Sequence, residues 1–366
     1  MEAIAQRLVV IMFLLLMLAL GVLSLKPVSG FTNMQSLTWT NGQWSQQFEQ
    51  QYNKTFPAKN FGTALWAAIQ YRLFHEGRNG VVVGQSDWLY SREEFNSYAD
   101  FERQVARQFQ RIVAIRDYLN RQGSELVMVI VPSKARVYQE FTGDHQPPIA
   151  QQQLYRQAQQ FLADQHIFAP ELLPSFLQQK PLQQLFFHTD THWTPQGADL
   201  TAKILAANLP SRFSQIAWGS QSFITTRQEV IEHQGDLMNF IPLSPYFTTL
   251  GPDSETLQRY HTGAIHDEDT GLFSEPQVDI ALVGTSYSAN ELWNFAGSLK
   301  QYLGVDLVNY AEEGKGPVIP MLDYLASEDF SQAPARLVIW EFPERYLPML
   351  DELSDRQLPF AIIAGE

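Results

Sequence analysis

The stretch "VDIALVGTSYS", residues 278–288, decides the fold class. Its first half is an apolar run of the kind found in a strand covered on both faces. Gly284 then ends the strand, and "TSYSANELWNFAGSLKQYLG" (285–304) reads as a turn followed by a helix. The same order recurs on either side. Upstream, residues 98–121 carry an amphipathic helix pattern stopped at Gly123, and "ELVMVIVPS" (125–133) is a second apolar, β-rich run. Downstream, "DLVNYAEEGKG" (306–316) predicts a strand entering a glycine-bearing loop, "PVIPMLDYLASEDF" (317–330) a helix, and "ARLVIWEF" (335–342) the last strand. Strands alternating with helices predict an α/β domain with a mostly parallel central sheet. Ligands of such sheets sit beyond the carboxyl ends of the strands.

Composition limits what the domain does. The 366 residues are 45% hydrophobic and 17% charged, which suits a folded protein with a sizeable core. A formal net charge of -14 argues against nucleic-acid binding, which needs a basic surface. There is no cysteine, so thiol nucleophiles, disulfides and Cys-based zinc sites are excluded. From Leu8 to Leu25 the chain carries no charge, with Arg7 before this run and Lys26 after it. Such a run is near the lower length for crossing a bilayer and longer than a usual signal core. Residues 1–30 therefore read as an uncleaved signal anchor, the alternative being cleavage at "VSG" before Phe31, and the rest of the chain as exported. Residues 31–75 read as a spacer and helical lead-in, residues 76–366 as the main domain, and 210–276 within it as an irregular insertion.

Three loops are predicted to share the sheet's carboxyl edge: "HTDTHWTPQG" (188–197) after "LFF", "GTSYS" (284–288), and "AEEGKG" (311–316). Ser286, in the tight turn, is a candidate nucleophile whose backbone N–H could stabilise an oxyanion. A serine hydroxyl needs a base, which His192 can supply, and Asp190 can orient that imidazole. Ser288 is the fallback nucleophile. Other readings of these residues stay open: "GTS" as a helix cap, or Asp190 as a cap with His192 packed on Trp193. His188, Asp190 and His192 also alternate along one face as metal ligands could. No HxxxH, CxxC or second dense His/Asp cluster accompanies them, and His233, His261 and His266 are scattered, so no metal is expected. Thr194 and Pro195 make a good helix start, and Trp193 reads as packing.

At this point the motifs resemble a known family. "TDTHWTPQGA" is similar to the DTHW signature of the alginate O-acetyltransferase AlgJ/AlgX family, a branch of the SGNH-hydrolase-like superfamily. "VVVGQSDWLYSREEF" (81–95), "VIVPSKARVY" (129–138), the 282–304 segment and "MLDYLASEDFSQAPARLVIWEFPERYL" (321–347) resemble further family segments in order. The resemblance implies a three-layer, circularly permuted SGNH fold, with Ser286 as nucleophile, His192 as base and Asp190 as orienter. It implies an acetyl-serine intermediate and transfer to a polysaccharide hydroxyl in the periplasm, without a cofactor. A membrane-bound O-acyltransferase and other exopolysaccharide-modification proteins are the implied partners. The loop at Gly314, Lys315 and Gly316 is less glycine-rich than the family's, and is a candidate second oxyanion donor. The chain ends soon after "WEFPERYL", without room for the carbohydrate module of AlgX-type members, so the likeness is to AlgJ. An acidic protein is poorly suited to grip a polyanion, so either acetyl is relayed to a partner or a short stretch of polymer meets Lys134, Arg136, Lys315 and Arg345. An acetyl esterase with the same three residues and a non-catalytic scaffold are the alternative functions.

Overall fold

The computed structural model describes residues 2–29, 41–265 and 278–349. The proposed cleavage site at Gly30–Phe31, most of the spacer, His266 and the tail beyond residue 349 lie outside these. The chain divides into two compact units, one of Met1–Arg78 with Ile241–Gly251, the other of the remaining residues.

In the first unit, α1 (Glu2–Ser29) is long and apolar enough over Ile4–Val28 to cross a membrane, with mean hydropathy 3.0 and none of that window buried. Helix α2 (Gln43–Thr55) carries an aromatic ladder on one side, Trp44, Phe48 and Tyr52, continued by Phe56. Residues at this spacing share a helix face. Helix α3 (Lys59–Ile69) follows, and Phe61 meets Tyr246 and Phe247.

The second unit begins with a hairpin of β1 (Val81–Val83) and β2 (Leu89–Ser91). Helix α4 (Phe101–Arg121) buries Val105, Phe109, Ile112, Ile115 and Leu119, three or four residues apart, and ends at Gly123, whose φ of +80° suits glycine. Each such side chain contributes about 1.5–3 kcal/mol when fully buried. Then come β3 (Glu125–Val131), the short α5 (Lys134–Val137), α6 (Ile149–Asp164), α7 (Leu173–Gln179) and α8 (Pro195–Arg212). Strands β4 (Phe223–His233) and β5 (Glu255–Ala264) pair antiparallel. After them run β6 (Ile280–Val283), α9 (Ser286–Ala289), α10 (Phe295–Leu303), β7 (Val308–Asn309), α11 (Val318–Leu325), α12 (Glu328–Gln332) and β8 (Leu337–Pro343).

The central sheet has the order β3-β8-β6-β7 and every neighbouring pair is parallel. Alternate residues feed two separate cores, as the pleat demands. Val127, Val129, Leu282 and Ile339 join the core with α8 and α10, while Met128, Ile130, Val283 and Trp340 join the core with α4, α6 and α11. This is the expected three-layer α/β domain with a parallel central sheet, and its parallel strands send their carboxyl ends to one edge.

Four local expectations change. "LFF" before Asp190 is not a sheet strand; it forms a single antiparallel bridge, Phe186 to Trp193. "DLVNY" contributes only the two residues of β7. The helix over 317–330 is divided by Ser327, which caps α12 through Phe330 N–H. The described part of 210–276 is dominated by the β4–β5 ribbon. Its strand β4 is exposed along most of its length and the pairing has a register shift between Arg227 and Val230, so it lacks the apolar alternation that signals a strand.

Candidate active site

The serine turn grows directly from the sheet. Strand β6 ends at Val283, and Gly284 passes so close to Glu341 on β8 that a Cβ would lie 2.6 Å from its Oε2. Only glycine fits there. Glu341 is fully buried and accepts from Thr285 N–H at 2.8 Å and from the Thr285 and Ser288 hydroxyls. Burial pushes its carboxyl up to about 7, against the pull of those hydrogen bonds. Ser288 is thus buried and committed to Glu341, which removes it as the fallback nucleophile. Ser286 opens α9 half-buried, and its N–H has no acceptor among the described residues.

The opposite wall is a narrow loop. Phe187 N–H donates to His192 O and Thr194 N–H to Leu185 O, closing the chain around residues 188–191. Asp190 sits inside, with all its acceptor sites used. Its Oδ1 receives His192 N–H at 2.9 Å and lies 2.5 Å from His192 Nδ1. Its Oδ2 lies 3.0 Å from His233 Nε2 and receives Asp236 N–H at 3.1 Å. Burial alone would raise the Asp190 carboxyl, but the His192 and His233 hydrogen bonds outweigh it and hold the group well below the ordinary carboxylate range. On the other side of the ring, His192 Nε2 lies 2.6 Å from Ser286 Oγ. Carboxylate, imidazole and hydroxyl therefore stand in one hydrogen-bonded line.

More side chains shape this loop than its own sequence suggests. Glu255 accepts from His188 N–H, Thr189 N–H and the Thr189 hydroxyl, and Asp236 accepts from Thr191 N–H and its hydroxyl. Trp193 is fully buried, as expected, and donates its indole N–H to Tyr287 O. Trp293 stacks on His192 with ring centroids 5.3 Å apart and donates to Ser286 O at 3.1 Å. Thr194 caps α8 through Gly197 N–H, and Pro195 begins it. His233, Asp236, Glu255, Trp293 and Glu341 were not singled out from sequence. The one available signal was "HQGD" (233–236), a histidine and an aspartate flanking a glycine whose Cβ would strike Thr189 O.

The predicted polymer-gripping cations are corrected by their surroundings. Lys134 is buried, and its ammonium donates to the Leu89, His188 and Asp190 carbonyls at 2.5, 2.9 and 2.8 Å. Burial pulls it down to about 8, with the Glu255, Glu94 and Asp190 charges opposing. Arg345 is buried too, donating to the Tyr287 hydroxyl and to Glu93. Arg136 is bound to Glu344 and to the Gln151 and Gln152 carbonyls. Lys315 is exposed, but Glu312 and Asp323 neutralise it. Its neighbours Gly314 and Gly316 both take positive φ, and the loop is tied to the serine turn through Glu312 N–H on Gly284 O. A buried charge already paired has no free face for a ligand.

The alternating metal face is also rearranged. The His188 ring packs on Trp88 at 4.2 Å, and the donor cluster is instead Asp190, His192 and Asp236 within 4.8 Å. A cation there would have to displace the Asp190–His192 hydrogen bond.

A parallel three-layer α/β domain with serine, histidine and aspartate aligned at its carboxyl edge defines an SGNH-hydrolase-like protein equipped for acyl transfer. Comparison with known proteins agrees. The model of the SGNH hydrolase-like domain of acetyltransferase AlgX matches residues 81–344, and the chain belongs to this family of acetyltransferases. A probable alginate O-acetylase AlgJ of Pseudomonas fluorescens is 45% identical over 347 residues, 94% of this chain and 88% of the relative. The alginate biosynthesis protein AlgX of Pseudomonas aeruginosa is 31% identical over 278 residues, 73% of this chain but 56% of AlgX. Among solved structures, the O-acetyltransferase domain of Pseudomonas putida AlgJ superimposes with a TM-score of 0.71 at 44% identity, covering 78% of this chain and 98% of that domain.

Proposed function

We propose that this chain is a periplasmic O-acetyltransferase acting on an alginate-like polyuronate, held at the inner membrane by α1. The observation that carries this reading is the line Asp190–His192–Ser286. His192 Nε2 takes the Ser286 proton as Oγ attacks the acetyl carbonyl carbon of the donor ester. The tetrahedral intermediate collapses, and the donor's alkoxide leaves with the proton returned by His192. In the second half, a sugar hydroxyl gives its proton to His192 and attacks the acetyl-serine, and His192 returns that proton to Oγ as the Oγ–acyl bond breaks, which regenerates Ser286. Asp190 keeps the imidazole in the tautomer that can accept at Nε2 and stabilises its cation. The Ser286 N–H is one oxyanion donor, and the 314–316 loop is the candidate for a second. His233, touching Asp190 and not the reacting atoms, is a positioning residue. A membrane-bound O-acyltransferase is the proposed source of acetyl, alongside other exopolysaccharide-modification proteins.

The test is turnover of an acetyl ester by the full chain in detergent, with and without an oligouronide acceptor, beside Ser286→Ala. Acetylated sugar that disappears in the variant is the expected result. Acetate release unaffected by acceptor would make the protein an esterase, and no turnover in either protein would make it a scaffold.

A further inference from the structure

Helices α8 and α10 and the β4–β5 ribbon enclose a groove of about 250 Å³. Its walls include Gln196, Arg227, Tyr260, Trp293, Gln301 and Tyr302. Trp293 is the wall it shares with the catalytic line, since the same indole stacks on His192 and donates to Ser286 O.

Two groups in the groove are unused. Gln301 Oε1 is buried and accepts no hydrogen bond among the described residues. Arg227 is exposed on β4, at the register shift of the ribbon, and meets no carboxylate among the described residues. Its neighbours differ: Arg259 is paired with Glu229, and Lys203 with Asp199. A buried amide oxygen calls for a donor such as a hydroxyl. A planar guanidinium matches a carboxylate with two parallel hydrogen bonds. The Tyr260 ring offers an apolar face with a polar tip, whereas the Tyr302 hydroxyl donates to Asp199 in the same wall and one face of its ring meets Lys203. A uronosyl ring carries all three counterparts: hydroxyls, a carboxylate and a C–H face.

We propose that this groove is a subsite for one uronosyl unit of the acceptor, with Arg227 on its carboxylate and Gln301 on a hydroxyl, beside the Ser286–His192 pair. It rests on the reading of the chain as a polyuronate acetyltransferase. It also places the contact with a polyanion at one exposed arginine, in a protein whose predicted gripping cations are already engaged.

The experiment measures binding, so that it stands apart from turnover. The full-length Ser286→Ala chain in detergent is titrated by calorimetry with an oligouronide prepared from alginate, and with the same oligomer after its carboxyls are reduced to alcohols. Arg227→Gln in that background is expected to weaken oligouronide binding about tenfold, and Arg227→Lys less, because the fork is lost but the charge is kept. The reduced oligomer should bind the parent weakly and Arg227→Gln no more weakly still. Gln301→Leu should weaken both oligomers about fivefold. Arg103→Gln, which removes an exposed charge on α4 outside the groove, should bind as the parent does. Equal affinity in Arg227→Gln, an equal loss in Arg103→Gln, or no binding by the parent would overturn the subsite. If binding depends on Arg227 but the intact chain passes no acetyl to the oligomer, the transferase reading falls and the groove stands. If acetyl is transferred while Arg227→Gln binds normally, the groove falls alone.

Discussion

The two turns that meet at the site are built in opposite ways. The Ser286 turn is an extension of the sheet: a buried strand ends, a glycine packs on the next strand, and one carboxylate below, Glu341, holds Thr285 and Ser288. The Asp190–His192 loop has no sheet strand behind it. It is held by Lys134 from α5, Glu255 from β5, His233 at the end of β4 and Asp236 in the turn after it. A turn made by the backbone tolerates change in its surroundings, whereas a loop held by buried polar groups leaves an orphan each time one partner is removed. The serine is thus placed by packing, and its base by a polar shell.

The comparison breaks most clearly at Asp190. Asp190→Asn should lower kcat about 10³–10⁴-fold while the circular dichroism of the fold is kept, because the amide can present the wrong hydrogen-bonding group to His192. A loss under tenfold would show that the loop is not the catalytic half of the site. Next comes Lys134→Met, which leaves three carbonyls in a buried place without their donor. It should cost about 3 kcal/mol or more in urea unfolding, and a cost below about 1 kcal/mol would mean that the shell does not hold the loop. His233→Ala should reduce kcat about tenfold with much of it restored in His233→Gln. Losing that donor also weakens the depression of the Asp190 carboxyl. A loss in His233→Ala that His233→Gln does not restore would leave His233 a packing residue.

The smallest effect belongs to the serine side. The Glu341 carboxyl is raised from 4.5 to about 7, so the folded chain holds that proton more tightly than the unfolded one. Its contribution to stability is therefore complete below about 4.5 and is lost as pH rises to about 7. Melting temperature measured across that window should fall less steeply with pH in Glu341→Gln than in the parent. An unchanged slope would show that the carboxyl under the turn does not titrate there.

Much of the site was readable residue by residue. The apolar run into Gly284 announced the serine turn, and "TDTHW" named the other two groups. The shell was not readable. His233 and Glu255 sit at the paired ends of a ribbon interrupted by a register shift, and Asp236 lies just beyond it, so no periodicity marked them. Lys134 and Arg345 were misjudged for a related reason: a basic side chain looks alike in sequence whether it faces water or three carbonyls.

Local chain chemistry alone determined the apolar first helix, the alternation of buried strands and helices and the Thr194–Pro195 helix start. These depend on periodicity and capping, which act over a few residues. Only the tertiary structure decided that Asp190 has a second histidine, that the predicted cations are buried or paired, and that Arg227 lines the groove with no carboxylate partner among the described residues. Those outcomes turn on contacts between residues more than forty positions apart, such as Asp190 with His233 and Lys134 with Asp190, and on burial, which no short stretch of sequence contains.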